Sequence, residues 1–274
     1  STGDRQGYPR YKTMTETILG REAPIVTHYE TAEQMGSSIV SVKLPDGTRR
    51  TTTIETETGL PLSRTILNVD TSVLSAEEYI WEPGSDGIKK LTQLVQTDQN
   101  GRKQRMEYTF NAQGRLQEEK TFDWVDKEHV TSAPLLRWMH YEYVNDVDYS
   151  KRGIRGLIRR IEIYSSASLL PEERTDYEYD SLPLRPTPNI GRNLFETPGF
   201  RSDLRPLMPT NAYSKRGLLT KTVSWVNPQI AGNTATIDTE IMYTAAGAVA
   251  ETKVGGKKRS SNEYSAATEY AFAD

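Results

Sequence analysis

The chain has 274 residues but no cysteine, and it has only three histidines. The absence of cysteine excludes disulfides, thiolate metal sites and catalytic thiols. The histidines, His28, His129 and His140, do not have the spacing of paired metal ligands. No apolar run approaches the ~18 residues of a membrane-spanning helix. The sequence therefore predicts no metal, no cofactor and no transmembrane span.

Common motifs of catalysis and nucleotide binding are also missing. The chain contains no Gly-x-Ser-x-Gly elbow, no Walker-type phosphate loop and no Gly-x-Gly-x-x-Gly after a strand. Its formal net charge of -3 offers no general attraction to nucleic acid. We therefore assign no catalytic residue and expect no nucleic-acid partner.

The chain does contain an internal repeat. The pentapeptide Tyr-Ser-Lys-Arg-Gly occurs at residues 149–153 and at 213–217, each time after a Tyr-Glu-Tyr, at 141–143 and at 177–179. An aromatic residue also precedes a glycine by four positions at Phe110 and Tyr243. Glycine suits a turn position with positive φ, and alternate residues of a strand share a face. The repeat thus predicts strand–turn–strand units, with the tyrosine of each pentapeptide as a cross-strand aromatic.

The remaining sequence has the same texture, with short β-branched and aromatic runs separated by turn residues such as Pro45-Asp46-Gly47-Thr48. We predict an all-β fold, an antiparallel meander of repeated strand–turn–strand units that forms a curved single sheet or an open or closed barrel. Residues 1–24 are interpreted as an extended lead-in segment, and residues 25–274 as a single β-repeat domain.

One of the repeated connections is much longer than the other. Tyr143 and Tyr149 are six residues apart, whereas Tyr179 and Tyr213 are 34 residues apart. The excess, at about residues 182–209, is rich in proline and contains Arg192 and Arg201. Long connections are often functional, but a proline-stiffened loop that covers a sheet edge or face is the favoured interpretation.

The aromatic-x-Tyr/Phe-(Asp/Asn)-x-x-Gly-x-Leu pattern occurs most clearly at Tyr108–Leu116, and its start recurs at Tyr177–Asp180. It resembles the YD-repeat family, the strand–turn–strand units of Rhs-type shells, over about residues 77–254. The chain is also similar to exported lipoproteins of Bacteroidetes-type bacteria. The resemblance implies an outer-membrane-associated or periplasmic protein with a lipid anchor on a cysteine upstream of Ser1.

Candidate ligand-binding residues cluster around one aromatic segment. Trp138, His140, Tyr141 and Tyr143 combine flat rings with a titratable group, and the insertion adds Arg192 and Arg201. Trp225 lies six residues after Leu219, and residues an even number apart share a face of a strand. Trp225 is therefore predicted to lie on the core face and not in a binding surface.

Two functions fit these features. The first is a non-catalytic exported module that binds or scaffolds a glycan or a protein at a bacterial cell surface or in the periplasm. The alternative is a carbohydrate-active enzyme with the 182–209 insertion as a lid and with His140, Tyr141 or nearby carboxylates as acid and base.

Overall fold

The computed structural model describes residues 13–16, 25–165, 168–185, 215–244 and 247–262, and most of these residues lie in β-strands. A 3₁₀ helix at Lys127–Ser132 and a short α-helix, α1, at Val147–Lys151 are the described helices. The strands are β1 Thr13–Glu16, β2 Ile25–Gln34, β3 Ser37–Lys43, β4 Arg49–Glu55, β5 Pro61–Leu67, β6 Val73–Pro83, β7 Lys89–Asp98, β8 Lys103–Phe110, β9 Leu116–Phe122, β10 Leu135–Tyr143, β11 Ile158–Ser165, β12 Glu173–Tyr179, β13 Leu219–Trp225, β14 Thr236–Tyr243, β15 Val249–Val254 and β16 Lys257–Ser261.

The chain divides into two compact units, residues 1–136 and residues 137–274. In the first unit, consecutive strands pair antiparallel from β1–β2 through β8–β9. In the second unit, they do so from β10–β11 through β15–β16. The predicted all-β antiparallel meander is confirmed. Over the described residues the strands are in sequence order within one sheet, and β1 and β16 are not paired, so the sheet does not close into a barrel.

The predicted lead-in of residues 1–24 contains β1, which pairs with β2 from Thr13 opposite His28 to Glu16 opposite Ile25. The placement of one domain over residues 25–274 stays a prediction. Most of the 182–209 insertion, including Arg192 and Arg201, lies outside the described residues.

The hairpin turns repeat one hydrogen-bonding pattern. At residues 111–115, the Asn111 N–H donates to the Arg115 carbonyl (2.9 Å) and the Gly114 N–H donates to the Asn111 carbonyl (2.8 Å). The same two bonds recur at residues 44–48, 98–102 and 244–248. Asn111 Oδ1 also accepts from the backbone N–H groups of Gln113 and Arg115, each at 3.0 Å. A glycine three residues after the first turn residue is common to these four turns, and at Asp98, Asn111 and Thr244 the first residue also supplies a side-chain acceptor.

Several returning strands begin with a β-bulge, which alters the face that later residues occupy. Leu219 pairs with Tyr179, whereas Lys221 pairs with Glu178, so Thr220 is the extra residue. Tyr179 and Glu178 are neighbours on β12 and point to opposite faces. Leu219, which pairs with Tyr179, therefore lies on one face, and Lys221 and Trp225 lie on the other. The prediction that Leu219 and Trp225 share a face is therefore wrong, because the alternation of faces along a strand shifts by one residue at a bulge.

The first pentapeptide copy is not a strand–turn junction. Tyr149 lies in α1, within the β10–β11 connection, and Tyr143 is the aromatic at the end of the strand. The Val144 N–H donates to the Leu157 carbonyl at 2.9 Å, which is the bond that Asn111 and Arg115 form in the simple turn. Gly156, with a φ of +83°, thus occupies the repeated turn position. The helix residues are therefore an insertion in that turn.

The second copy, over its described residues Lys215 to Gly217, does close a turn of the repeated type. The Asp180 N–H donates to the Leu218 carbonyl (2.9 Å), and Tyr179 pairs with Leu219 as Phe110 pairs with Leu116. Asp180 therefore corresponds to Asn111, and the long connection is inserted between this acceptor and its glycine, Gly217.

The two pentapeptide copies contact each other at the base of this insertion. The Tyr149 hydroxyl donates to Asp180 Oδ2 at 2.7 Å, and the same oxygen accepts from the backbone N–H groups of Arg216 and Gly217, each at 2.7 Å. The Arg152 guanidinium donates to the Lys215 carbonyl, and the Lys215 ammonium pairs with Asp146. The repeated sequence thus forms one polar junction in the second unit.

Few described side chains are fully buried. The buried hydrophobic residues are Val95, Ala133, Tyr149 and Ala250, while Met35, Val69 and Leu169 are largely exposed. Most other strand residues are half-buried on both faces of their sheet. A sandwich of two packed sheets would bury one face of each strand much more completely. The described strands therefore present two broad faces that are accessible in part to a ligand or a partner.

Candidate functional site

The predicted site residues on β10 divide between two sheet faces, because successive strand residues alternate. Trp138 and His140 lie on one face, and Tyr141 and Tyr143 lie on the other. We call the face that carries Trp138 and His140 the polar face. Arg192 and Arg201 lie outside the described residues.

An aromatic pair forms one end of the polar face. Trp138 pairs in register with Tyr164 on β11, and their rings stack with centroids 4.6 Å apart and an interplanar angle of 25°. The His140 ring is 6.3 Å from Trp138 and tilted by 50°. The Tyr164 hydroxyl donates to Glu162 at 3.0 Å. Burial, and then this bond to a carboxylate, raises the pKa of Tyr164 to about 12, so the hydroxyl remains protonated.

A row of basic and acidic side chains runs across the sheet beside these rings. His140 pairs with Glu162 in register, and Glu162 pairs with Arg174 on β12. His140 Nδ1 is 3.7 Å from Glu162 Oε2, and Arg174 Nε is 3.9 Å from Glu162 Oε1. The Glu162 side chain is only 12% exposed and lies between the His140 ring and the Arg174 guanidinium.

In the next row, a basic side chain lies between two acidic ones. Arg160 lies between Glu142 at 3.4 Å and Asp176 at 2.5 Å. Asp176 also accepts from Arg174 at 3.1 Å and from Trp225 Nε1 at 2.6 Å. The Arg174 guanidinium lies 4.1 Å above the Trp225 ring, within the range of a cation–π contact. The two rows together form a lattice in which each acidic side chain lies next to a basic side chain.

This lattice keeps the Asp176 carboxylate ionised. Burial alone would raise the pKa of Asp176, but hydrogen bonds from Arg160 and Trp225, together with both guanidinium charges, hold the pKa below its usual value. For Arg160, burial opposes the change, and the Asp176 contact raises the pKa of the guanidinium above its usual value. Asp176 is thus suited to fixing side chains in place, and not to donating a proton near neutral pH.

The depressed pKa of Asp176 predicts a pH dependence of stability. Because the folded-state pKa is lower than the unfolded one, the contribution is complete above the unfolded value of about 3.9 and is lost as pH falls through the folded value. Asp176→Asn should therefore lower the free energy of unfolding most at neutral pH, and the difference from wild type should shrink below about pH 4. Urea denaturation at a series of pH values measures this difference.

Asp148→Asn is the matched control for that series, since Asp148 is 64% exposed and its ion-pair distance to Lys151 is 4.0 Å. It should change stability little at any pH. A difference between Asp176→Asn and wild type that stays constant down to about pH 2 would contradict the linkage.

The opposite face of the second unit is aliphatic and aromatic. It carries Tyr141 and Tyr143 from β10, with Ile161 and Ile163 opposite Tyr141 and Met139 in the β11 register. The Tyr141 hydroxyl lies 3.8 Å from the Met139 sulfur. The structure therefore brings Trp138 and His140 into one surface and places Tyr141 and Tyr143 on the surface behind it.

Sequence reasoning missed Tyr164 and Glu162, the partners of Trp138 and His140, and also Arg174 and Asp176 farther along the polar face. Their alternate spacing along β11 and β12 is visible in the sequence, and it shows which residues share a face within one strand. Their positions across the sheet depend on register, which the bulged and extended turns determine.

Other kinds of site were also considered. Among the described residues, no group of three or more histidine, aspartate or glutamate side chains is arranged to hold a metal ion. None of the described helices has the length and apolar character that crossing a bilayer requires.

Comparisons with solved structures yield distant likenesses, whereas comparisons of the sequence yield none. No protein-family model and no curated protein matches the chain. Among solved structures, the chain is similar to a porin-like protein from Bacteroides uniformis ATCC 8492, with 11% sequence identity and a TM-score of 0.33. The alignment covers 88% of this chain and 79% of that one.

Proposed function

We propose that the chain is a non-catalytic binding or scaffolding module of a bacterial cell surface or periplasm, and that its polar face binds a glycan. The observation that carries the proposal is the stacked pair of Trp138 and Tyr164 beside fixed charges on a partly exposed sheet face. Flat aromatic rings offer an apolar surface to a sugar ring, and fixed polar groups beside them can hydrogen-bond its hydroxyls.

The repeat supports the module interpretation. The Tyr179-Asp180 pair, with Asp180 capping the turn at Gly217, has the aromatic–acceptor–glycine order of the YD-like units that the sequence resembles. Export, an outer-membrane or periplasmic location and a lipid anchor upstream of Ser1 remain part of this proposal and rest on the same resemblance.

The polar face favours binding over glycoside cleavage. His140 and Tyr141 point to opposite faces, so they do not converge on one bond. The nearby carboxylates of Glu142, Glu162 and Asp176 each have an arginine neighbour. A glycosidase needs one carboxyl group that keeps a proton near neutral pH, and arginine neighbours favour the ionised form.

Oligosaccharide binding without turnover is the test of this function. The purified chain is applied to a glycan array, the best ligand is titrated by calorimetry, and the recovered ligand is analysed for cleavage. We expect saturable binding and intact ligand. Cleavage that stops in a His140→Ala or a single carboxylate variant would overturn the non-catalytic assignment, and a lack of binding across the array would overturn the glycan assignment.

A further inference from the structure

A cleft in the first unit lies at one end of the sheet, between the strand ends and two turns. Its volume is about 700 Å³. The floor is formed by β2 to β5, and the walls are the β3–β4 turn at Gly47 and the β5–β6 turn at Asn68 and Val69. This volume falls within the range of small-molecule sites and fits a ligand of roughly sugar size.

The floor of the cleft carries a row of cationic and titratable side chains. His28 pairs in register with Lys43, Lys43 with Arg49, and Arg49 with Leu67, so these four residues lie side by side on one face. His28, Lys43 and Arg49 are all exposed. Three nitrogen-bearing side chains from three adjacent strands therefore point into one cavity.

Two of these side chains are available to a ligand. Within the described part of the chain, neither His28 nor Lys43 forms a side-chain hydrogen bond or an ion pair. Arg49 pairs with Glu30 at 2.6 Å, but the two side chains are 48% and 72% exposed, so water screens the pair and it contributes little stability. The cleft thus has a net positive charge, with donors that no described protein group uses.

One wall of the cleft is apolar and closely fitted. Val69, which is 67% exposed, reaches over the β3–β4 turn, and its Cγ2 lies 2.9 Å from the position that a Cβ on Gly47 would occupy. Gly47 has a φ of +87°, so both its conformation and this contact favour glycine. Leu67 and Val69 give a ligand an apolar side next to the charged floor.

We propose that this cleft binds a sugar-sized ligand through a tetrahedral oxyanion, a phosphate or sulfate ester, held by His28, Lys43 and Arg49. An arginine fork and a lysine ammonium suit the several acceptor oxygens of such a group. A cationic ligand would be repelled by Lys43 and Arg49, and the lining carboxylate of Glu30 contacts only one nitrogen of the Arg49 guanidinium, which leaves its other donors for the ester. This site is separate from the polar face and does not rest on the glycan proposal.

The test titrates the full chain with glucose 6-phosphate, glucose 6-sulfate and glucose, by calorimetry and ligand-observed NMR. We expect saturable binding of one or both esters with a Kd below about 5 mM, and no saturable binding of glucose. The phosphate and sulfate arms identify which ester the cleft prefers. Lys43→Ala should weaken ester binding at least about fivefold, because one charge-assisted contact is lost.

Arg50→Ala is the matched control for Lys43→Ala. Arg50 is the neighbour of Arg49 on β4 and points to the opposite face, so this variant removes the same charge without touching the cleft. It should change ester binding by less than about twofold. The proposal is overturned by no saturable ester binding, by glucose binding as well as its esters do, or by equal weakening in the two variants.

Discussion

Replacing Asp180 with alanine should lower the free energy of unfolding by about 3 to 5 kcal/mol, since hydrogen bonds to a charged group contribute roughly 1.5 to 3 kcal/mol each and do not add fully. One carboxylate accepts from the Tyr149 hydroxyl and from the backbone N–H groups of Arg216, Gly217 and Leu218. Alanine removes the acceptor of the three backbone donors in a half-buried junction, while the Tyr149 hydroxyl keeps the Tyr179 carbonyl at 3.2 Å as an acceptor. Urea denaturation at neutral pH, followed by tryptophan fluorescence, measures the loss.

Two further variants separate this cause from a general effect of losing a carboxylate. Asp70→Ala removes an exposed turn acceptor that accepts from the Ser72 N–H and hydroxyl, so a loss of about 1 kcal/mol or less is expected. Tyr149→Phe removes one donor to Asp180, and its effect should become smaller in the Asp180→Ala background. Equal losses in Asp180→Ala and Asp70→Ala would contradict the role of this junction.

Replacing Trp138 with alanine should weaken oligosaccharide binding at least about tenfold, because an aromatic anchor in a binding surface commonly contributes about 2 kcal/mol or more. The variant removes the ring that stacks on Tyr164 and faces His140. The charge rows of Glu162, Arg174 and Asp176 do not depend on the indole. Calorimetric titration with the best ligand from the array measures the change.

Tyr141→Ala is the matched control for Trp138→Ala. It removes an aromatic residue from the same strand but from the opposite face. It should leave the affinity within about twofold of wild type if the fold is intact, since it removes no contact from the polar face. An affinity that falls in Tyr141→Ala and not in Trp138→Ala would place the ligand on the aliphatic face instead.

Much of the fold could be predicted from local sequence. The turn residues at Pro45-Asp46-Gly47-Thr48 and Asn111 to Gly114 determine short hairpins, and sequential hairpins produce a meander. The pentapeptide was harder to interpret, because Tyr149 has the spacing of a strand aromatic but lies in α1. The helical insertion moves the turn glycine from Gly153 to Gly156, and only the Val144–Leu157 hydrogen bond reveals it.

The candidate site could be predicted only in part, for a related reason. Trp138 and His140 are two residues apart, so their common face follows from strand geometry. Their contacts with Tyr164 and Glu162 require the β10–β11 register, and that register contains a bulge between Glu142 and Tyr143. The bulge at Thr220 likewise moves Trp225 to the face of Arg174 and Asp176. Beyond such an extra residue, the even or odd spacing of two residues in the sequence no longer shows whether they share a face.

Hydrogen–deuterium exchange of the chain, without oligosaccharide and with oligosaccharide at a concentration close to its wild-type Kd, tests the central claim most directly. Peptides that cover β10 and β11 should exchange more slowly with the ligand, and this protection should disappear in Trp138→Ala at the same ligand concentration. Protection that persists in Trp138→Ala, or that is confined to strands of the first unit, would show that the polar face is not the binding surface.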